Sequence, residues 1–272
     1  GGAVRDRTVA QPVPHGPVLE FCPTAVSSEM LLFMMIKNAS MPLIRETVPI
    51  SLIRRKIAEN LLNTVSKYPQ VTLVSKINAE NITKIINAYD SMDVHLTPTA
   101  VLVKAIALVL AKPDNIILNS ELKEDNIVVY DDININVAMD TPYGLMVPVI
   151  RNADRKSLRE ISAAITDLAE KARDGKLSVS DVTGGTFTIT NLGHLGVIFF
   201  NPIINYPQTA VLGVGRIFDE LVLVNDNVKS EKKMYLCLTF NHAAIDGAPA
   251  ARILNNMKTY LESGEVLRDL LQ

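Results

Sequence analysis

The chain has 272 residues, of which 48% are hydrophobic, so it can bury a large core and is not disordered as a whole. Its 27 basic and 29 acidic residues give a net charge of −2 without a block of like charge, which argues against nucleic acid as a partner. Two cysteines and four scattered histidines form neither a disulfide framework nor a zinc motif, so we expect no metal site.

The N-terminal region has no pattern of a compact domain. Residues 1–40 are rich in proline and lack a sustained period, which predicts a poorly ordered arm or an expression remnant. The longest apolar run, at 30–36, is far below the roughly 20 residues that cross a bilayer, so no membrane partner is expected. A secretory signal pattern is also absent, which favours a cytoplasmic protein. Residues 41–272 are predicted to form one domain.

The first half of that domain alternates between helical and strand patterns. An amphipathic helix is predicted at 51–67 and a strand at 70–79. A helix opened by Glu80 follows, and then a nearly all-apolar helix with Pro98 in its first turn, which we expect to be buried on most sides. Residues 126–140 are rich in β-branched residues and predict a strand pair or one long strand.

The second half continues with a strand in GLMVPVI and then SLRE at 157–160. This tetrapeptide matches a capping box, in which Ser157 and Glu160 each bond a free amide at the start of a helix. Strands are predicted in GGTFTITNLG, TAVLGVGRI and KKMYLCLTF, and a helix in GAPAARILNNMKTYLE. Long helices mixed with strands that do not strictly alternate predict an α/β fold with a mixed sheet.

One stretch, FNHAAIDG at 240–247, places a histidine at the junction between the last predicted strand and the last predicted helix. A histidine with an ordinary pKa of roughly 6.5 can take and return a proton at neutral pH. Asp246, four residues after His242, stands where a helix N-cap would bond free amides. From these residues alone, a structural histidine and a plain cap remain more common than a catalytic pair.

Other common catalytic motifs are missing. The sequence contains no GxSxG nucleophile elbow and no phosphate-binding loop ending in GK[ST]. GVGRIF has two glycines but lacks the third and does not open a helix, so it is not a dinucleotide-binding fingerprint.

The stretch HAAIDGAPAARIL resembles the HxxxDG motif that chloramphenicol acetyltransferase shares with the catalytic domain of the dihydrolipoamide acyltransferases. Four further segments resemble the latter family in the same order, and the resemblance covers about residues 46–272. These segments are VPISLIRRKIAENL, LTPTAVLVKAIALVLAKPDNIILN, INVAMDTPYGLMVPVIRNADRKSL and GGTFTITNLGHLGVIFFNPIINYPQTAVLGVG. The resemblance implies a chloramphenicol-acetyltransferase-like two-layer sandwich, with a mixed β-sheet and packed helices.

The resemblance also implies a reaction, in which an acyl group passes between a dihydrolipoyl thiol and the thiol of coenzyme A. By similarity, His242 is the general base, and Thr190, where the family more often has serine, donates a hydrogen bond to the oxyanion. Asp246 matches the family's aspartate and would support the base. Asp140 falls in a family segment near the coenzyme-binding channel, although a turn-forming aspartate is the plainer interpretation.

The sequence departs from the family next to the base. Asn241 and Ala243 stand where the family more often has aspartate and arginine, which removes a charged contact and an ion pair. We expect this change to affect the pH profile of the reaction. A non-catalytic shell-forming core is one alternative function, and a small-molecule O-acetyltransferase of the chloramphenicol type is another.

Partners follow from the resemblance as well. It implies homotrimers in which Thr190 and His242 act across the interface, and trimers that build shells of 24 or 60 subunits. The apolar segment 197–207 is either part of the contact surface or core. A lipoyl domain outside this sequence would supply the lipoyl group, and the complex would include a 2-oxoacid decarboxylase and a dihydrolipoamide dehydrogenase. The sequence leaves open whether the acyl group is acetyl, succinyl or branched-chain.

Overall fold

The computed structural model describes residues 43–271 and the isolated residue Glu29. The arm predicted at 1–40 therefore lies outside the described residues, except for Glu29. Within the described part of the chain, no helix is long and apolar enough to cross a membrane.

The chain divides into two compact units, Gly1–Pro49 and Ile50–Gln272. In the first unit, residues 43–49 are exposed and belong to no helix or strand. The second unit contains the helices and strands that the sequence predicts. Its helices are α1 (Leu52–Lys67), α2 (Glu80–Asp90), α3 (Pro98–Leu110), α4 (Leu158–Arg173), α5 (Val179–Val182), α6 (Gly247–Glu262) and α7 (Gly264–Leu270).

A mixed sheet of seven strands, in the order β1-β11-β9-β8-β4-β7, organises this unit, and β10 pairs with the first half of β11. The strands β4, β8 and β9 are parallel to one another, whereas the other pairs are antiparallel. The strands are β1 (Gln70–Asn78), β2 (Ser120–Lys123), β3 (Asn126–Val129), β4 (Ile135–Val137), β5 (Met139–Thr141), β6 (Gly144–Met146), β7 (Val149–Ile150), β8 (Phe187–Asn191), β9 (Ala210–Val214), β10 (Phe218–Val224) and β11 (Asn227–Asn241). The predicted α/β fold with a mixed sheet and packed helices is confirmed.

The helix α3 is buried along most of its length, as its apolar sequence predicts. Thr97 caps its first turn by accepting a hydrogen bond from the amide of Ala100. Lys104 is an unexpected member of this buried helix, and its ammonium group donates to the carbonyl oxygen of Asp154 at 2.6 Å. Burial lowers the pKa of Lys104 from its usual value of 10.5, because removal from water disfavours the charged form.

The predicted capping box is present at the start of α4. The Ser157 hydroxyl accepts a hydrogen bond from the amide of Glu160, and the Glu160 carboxylate accepts one from the amide of Ser157. These two bonds satisfy amides that a helix end otherwise leaves unpaired. The pKa of Glu160 is lowered by these bonds from Ser157.

Two strand predictions need correction. The region 126–140 forms three short strands, β3, β4 and β5, rather than a pair or one long strand. GLMVPVI divides into β6 and β7, since Pro148 has no amide hydrogen to donate and its carbonyl oxygen instead accepts from Val137. The strands β2 and β10 and the helices α5 and α7 were not predicted.

The main core fills the face of the sheet against which the helices pack. On the opposite face, one row of side chains crosses four neighbouring strands, because Val74 pairs with Cys237, Cys237 with Gly213, and Gly213 with Thr190. Gly213 suits this row, since an added Cβ would lie 3.1 Å from the Phe200 side chain, which would have to shift by a few tenths of an ångström. The segment that contains Phe200 therefore rests directly on the strand beside Thr190.

Candidate active site

The turn that carries His242 connects β11 to α6. His242 follows the last residue of β11, and its amide donates to the carbonyl oxygen of Pro69 at 2.8 Å. The amide of the preceding Asn241 donates to the carbonyl oxygen of Thr209, also at 2.8 Å. The main chain at the histidine is thus held from two sides, by the residue before β1 and by the residue before β9.

Asn241 shapes the turn from inside the protein, where its side chain is fully buried. Its Oδ1 accepts from the amide of Ala243 at 3.0 Å, and its carbonyl oxygen accepts from the amides of Ala244 and Ile245. Its Nδ2 has no hydrogen-bond partner among the described residues. A buried amide donor without a partner lowers the free energy of unfolding, so a hydrogen-bond acceptor for Nδ2 would stabilise this turn.

The imidazole of His242 is accessible, with 43% of the side chain exposed. Its Nδ1 lies 3.9 Å from Oδ1 of Asp246, which is too long for a hydrogen bond but places the carboxylate beside the ring. On the other side of the ring, Gly247 leaves space, because an added Cβ would lie 4.0 Å from Nε2. Nε2 makes no hydrogen bond with another described residue, which leaves it available to a substrate.

The predicted capping role of Asp246 is wrong. Its backbone occupies the N-cap position of α6, but its side chain makes no capping hydrogen bond. The carboxylate lies on the imidazole side instead, and 85% of the side chain is exposed. The local sequence identified the position, whereas the contact with His242 depends on how the turn folds.

Tyr68 directly precedes Pro69, whose carbonyl oxygen holds the amide of His242. Its ring is buried and its hydroxyl donates to the carbonyl oxygen of Pro207 at 3.2 Å. Burial, with a smaller contribution from Tyr206 and Glu121, raises the pKa of Tyr68 to about 12. The hydroxyl consequently remains protonated at neutral pH and keeps donating to Pro207.

Thr190 lies in the other half of the predicted site, in β8, and is half-buried. Its hydroxyl makes no hydrogen bond with another described residue, so its proton is available to a ligand. Gly213 pairs with both Thr190 and Cys237, and His242 lies five residues beyond Cys237. Five strand residues span about 16 Å and two strand spacings about 10 Å, so Thr190 and His242 of one chain lie about 19 Å apart.

A cleft of about 520 Å³ lies at the edge of the sheet where the parallel strands β4, β8 and β9 end. Asp140 lies here, as do three residues that sequence reasoning either missed or set aside, Asn191, His194 and Arg216. Most of the remaining wall is apolar, with contributions from Met139, Ile165, Val214, Ile217 and Met234. Ligands of open α/β sheets bind at such carboxyl ends of strands. Asn191 could have been predicted from the sequence, because it directly follows Thr190 at the end of a predicted strand.

Cys237 is the nearest thiol to Thr190 in the described residues, since only Gly213 separates them across the sheet. Its side chain is fully buried, and this burial raises the pKa of the thiol. Among the described residues, no group of three or more histidine, cysteine or acidic side chains is placed to hold a metal ion.

The fold and this turn define an α/β domain that presents a histidine at the end of a central strand. Residues 43–268 match the family model described as 2-oxoacid dehydrogenases acyltransferase (catalytic domain). The chain belongs to this family, which confirms the resemblance found in the sequence. A similar relative is the dihydrolipoyllysine-residue acetyltransferase component of the pyruvate dehydrogenase complex of Bacillus subtilis, at 36% identity over 79% of this chain and 50% of that protein. The chain thus spans about half the length of this relative.

Two solved structures show the same fold. One is a dihydrolipoamide acetyltransferase of Azotobacter vinelandii, with a TM-score of 0.75, 31% identity and coverage of 85% of this chain and 99% of that one. That structure was studied for the role of a serine, a histidine and an asparagine in the catalytic mechanism. The other is the cubic core of a pyruvate dehydrogenase multienzyme complex, with a TM-score of 0.75, 30% identity and coverage of 93% and 100%.

Proposed function

We propose that this domain transfers an acyl group between dihydrolipoamide and coenzyme A, with His242 as general base and Thr190 as oxyanion donor. The observation that carries the proposal is a spacing. In the Azotobacter vinelandii enzyme the histidine follows the serine by 52 residues and precedes the asparagine by 4. Thr190, His242 and Asp246 have the same two spacings in this chain.

The chemistry fits the exposed imidazole. A thiol attacks as the thiolate and has an ordinary pKa of roughly 8.5, so a base that removes its proton accelerates the reaction at neutral pH. Nε2 of His242 takes the proton from the attacking thiol, whose sulfur then bonds to the thioester carbonyl carbon. The tetrahedral oxyanion collapses, and the leaving sulfur receives the proton from the imidazolium. Asp246, whose Oδ1 lies 3.9 Å from Nδ1, would help to position the imidazole during these two steps.

Thr190 would donate its hydroxyl hydrogen to the oxyanion, as serine does in the usual family pattern. Threonine keeps this donor and adds one methyl group, so the substitution preserves the chemistry. The loss of such a donor typically costs about 3 kcal/mol of transition-state stabilisation.

The separation of about 19 Å between Thr190 and His242 within one chain argues for a site formed by two subunits. Exposed apolar surface supports such an assembly: Phe199 is 59% exposed, and Leu52 and Leu62 on α1 are exposed as well. Ile204, in the same segment as Phe199, is fully buried, so 197–207 contributes to both core and surface. We therefore propose a homotrimer, with trimers building a shell of 24 or 60 subunits.

The cleft at the ends of β8 and β9, which Asn191 lines directly after Thr190, would bind part of the substrate. Its apolar walls suit an extended aliphatic arm, while Asp140 and Arg216 supply polar contacts at its opening. We propose that this arm belongs to coenzyme A, and that a lipoyl domain presents the dihydrolipoyl group from outside the described residues. The 2-oxoacid decarboxylase and dihydrolipoamide dehydrogenase of the complex are the partners that this reaction requires.

The test is acyl transfer to free dihydrolipoamide from a panel of acetyl-, succinyl- and branched-chain acyl-coenzyme A, with chloramphenicol as the competing acceptor. Transfer to dihydrolipoamide that His242→Ala abolishes would support the proposal. His95→Ala is a matched control, because His95 is an exposed histidine whose Nδ1 also faces an aspartate, Asp90, at 3.7 Å. Transfer to chloramphenicol alone would favour the small-molecule acetyltransferase. A large particle without transfer would favour a non-catalytic shell, an alternative that Asn241 and Ala243 motivate.

A further inference from the structure

A buried glutamine, Gln208, lies between the strand of Thr190 and the turn of His242. Only 3% of its surface is exposed, and all of its side-chain hydrogen-bonding groups are used. Its Nε2 donates to Oδ1 of Asn136 at 2.7 Å and to the carbonyl oxygen of Gly185 at 2.9 Å, while its Oε1 accepts from the Thr188 hydroxyl at 2.6 Å. These three bonds allow the amide one orientation only.

On one side, the network fixes the strand that carries Thr190. Thr188 precedes Thr190 by two residues in β8, so both side chains lie on the same face of the sheet. Asn136 pairs with Thr188 in the neighbouring β4, and its Nδ2 donates to the carbonyl oxygen of Val147 at 2.6 Å. A Cβ added at Gly185 would overlap the side-chain amide of Asn136, so the network is tightly packed at this point.

On the other side, one peptide bond connects Gln208 to the anchor of the turn that carries His242. The next residue, Thr209, accepts the hydrogen bond from the Asn241 amide at 2.8 Å and donates its own amide to Ser120 at 3.0 Å. Asn241 is the residue directly before His242. A shift of Gln208 would therefore move the acceptor that holds this turn.

We propose that Gln208 is a positioning residue for the acyl transfer, which fixes the Thr190 strand and the His242 turn relative to each other. The inference rests on the proposed function. In a trimer with shared sites, each chain gives Thr190 to one site and His242 to the next. One Gln208 would then set the geometry of two active sites at once.

The test compares Gln208→Glu with Asn134→Asp. In both variants a buried amide becomes a carboxylic acid that faces a main-chain carbonyl, since Asn134 Nδ2 donates to Gly184 at 2.9 Å and its Oδ1 accepts from the Asn152 amide. Asn134 makes no described side-chain bond to the segment that contains Thr209. The control therefore reproduces the cost of a buried acid without the link to the base.

Two measurements on the assembled protein decide the question. The first is hydrogen–deuterium exchange at the amides of Asn241 and His242, which we expect to quicken about tenfold in Gln208→Glu and to stay unchanged in Asn134→Asp. The second is turnover at saturating substrate, for which kcat should fall about tenfold while KM for coenzyme A stays within about twofold. A merely structural role would lower the stability of both variants without separating these values.

The pH dependence supplies a rescue. The new carboxyl of Gln208→Glu faces two acceptor oxygens, which raises its pKa in the folded protein above the unfolded value. Its protonated form can donate to one of them, so the defects in exchange and turnover, each taken relative to wild type at the same pH, should diminish as the pH falls through that raised pKa.

Unchanged exchange at Asn241 and His242 in Gln208→Glu would overturn the proposal, as would altered exchange with unaltered turnover. If the wild-type protein transfers no acyl group, the proposed function fails, and Gln208 has no reaction for which to be a positioning residue. The exchange measurement would still show in that case whether Gln208 controls the turn, so the two failures are distinguishable.

Discussion

The distance between Thr190 and His242 leads to a complementation experiment. Thr190→Val removes the hydroxyl but leaves His242 intact, whereas His242→Ala removes the base but leaves Thr190 intact. About 19 Å separates the two residues in one chain, so a site takes them from two subunits, and neither variant alone can complete one because it lacks one of the two groups. A mixed trimer can, where a subunit with Thr190 meets a neighbour with His242.

The size of the recovery follows from the geometry. A site between two subunits is complete only if the first carries the intact threonine and the second carries the intact histidine. With equal amounts mixed at random, each condition holds for half of the subunits, so about one quarter of the sites are complete. Alone, Thr190→Val should retain on the order of one part in 100 to 1,000 of the wild-type turnover.

The assay is acyl transfer to dihydrolipoamide after the two chains are co-expressed, with each variant alone and a mixture of separately assembled particles as controls. About a quarter of the wild-type turnover per subunit is expected in the co-assembled sample only. Co-assembled particles as inactive as the separate variants would refute a site shared between subunits. Full activity in either variant alone would refute the role assigned to that residue.

Three further predictions concern individual side chains. Thr190→Ser should keep turnover within about threefold of wild type, since the donor survives; a loss as large as that of Thr190→Val would contradict the hydroxyl's role. Asn241→Asp should lower the free energy of unfolding at neutral pH by about 1 to 3 kcal/mol, because a carboxylate oxygen replaces a buried Nδ2 that already lacks a partner. Added Ala243→Arg should recover part of this loss in urea denaturation, and an unchanged midpoint for Asn241→Asp would refute the argument. Burial lowers the pKa of Lys104, so the folded protein releases this proton at a lower pH than the unfolded chain does. The free energy of unfolding of wild type relative to Lys104→Met should therefore rise as the pH approaches 10.5 from below, and a flat difference would contradict the shift.

Local patterns predicted the elements whose signals are local. The apolar run of α3 and the capping box at Ser157 depend on neighbouring residues, and both appear in the structure as predicted. The strand β10 alternates regularly in its burial but was not predicted. A single strand was predicted where β6 and β7 are separated at Pro148. The strand β10 depends on its pairing with β11, which a single short segment does not determine, whereas the break at Pro148 has a local cause, the missing amide hydrogen of proline.

The two halves of the site were predictable to different degrees. Thr190 and His242 were identified through a resemblance, and their roles stay predictions until the variants are measured. The cleft beside Asp140 is formed by separate segments of the chain, so no single sequence motif predicts it. Asp246 shows the same limit, because its helix-start position is visible in the sequence whereas its contact with the imidazole exists only in the folded turn.

The buried thiol of Cys237 has a consequence for side reactions. A thioester bound next to Thr190 would lie only two strand spacings, about 10 Å, from a competing nucleophile. Burial raises the pKa of this thiol, which disfavours the thiolate form that would attack. In the proposed acyl transfer, the burial of Cys237 in the sheet would therefore disfavour acylation of the domain itself.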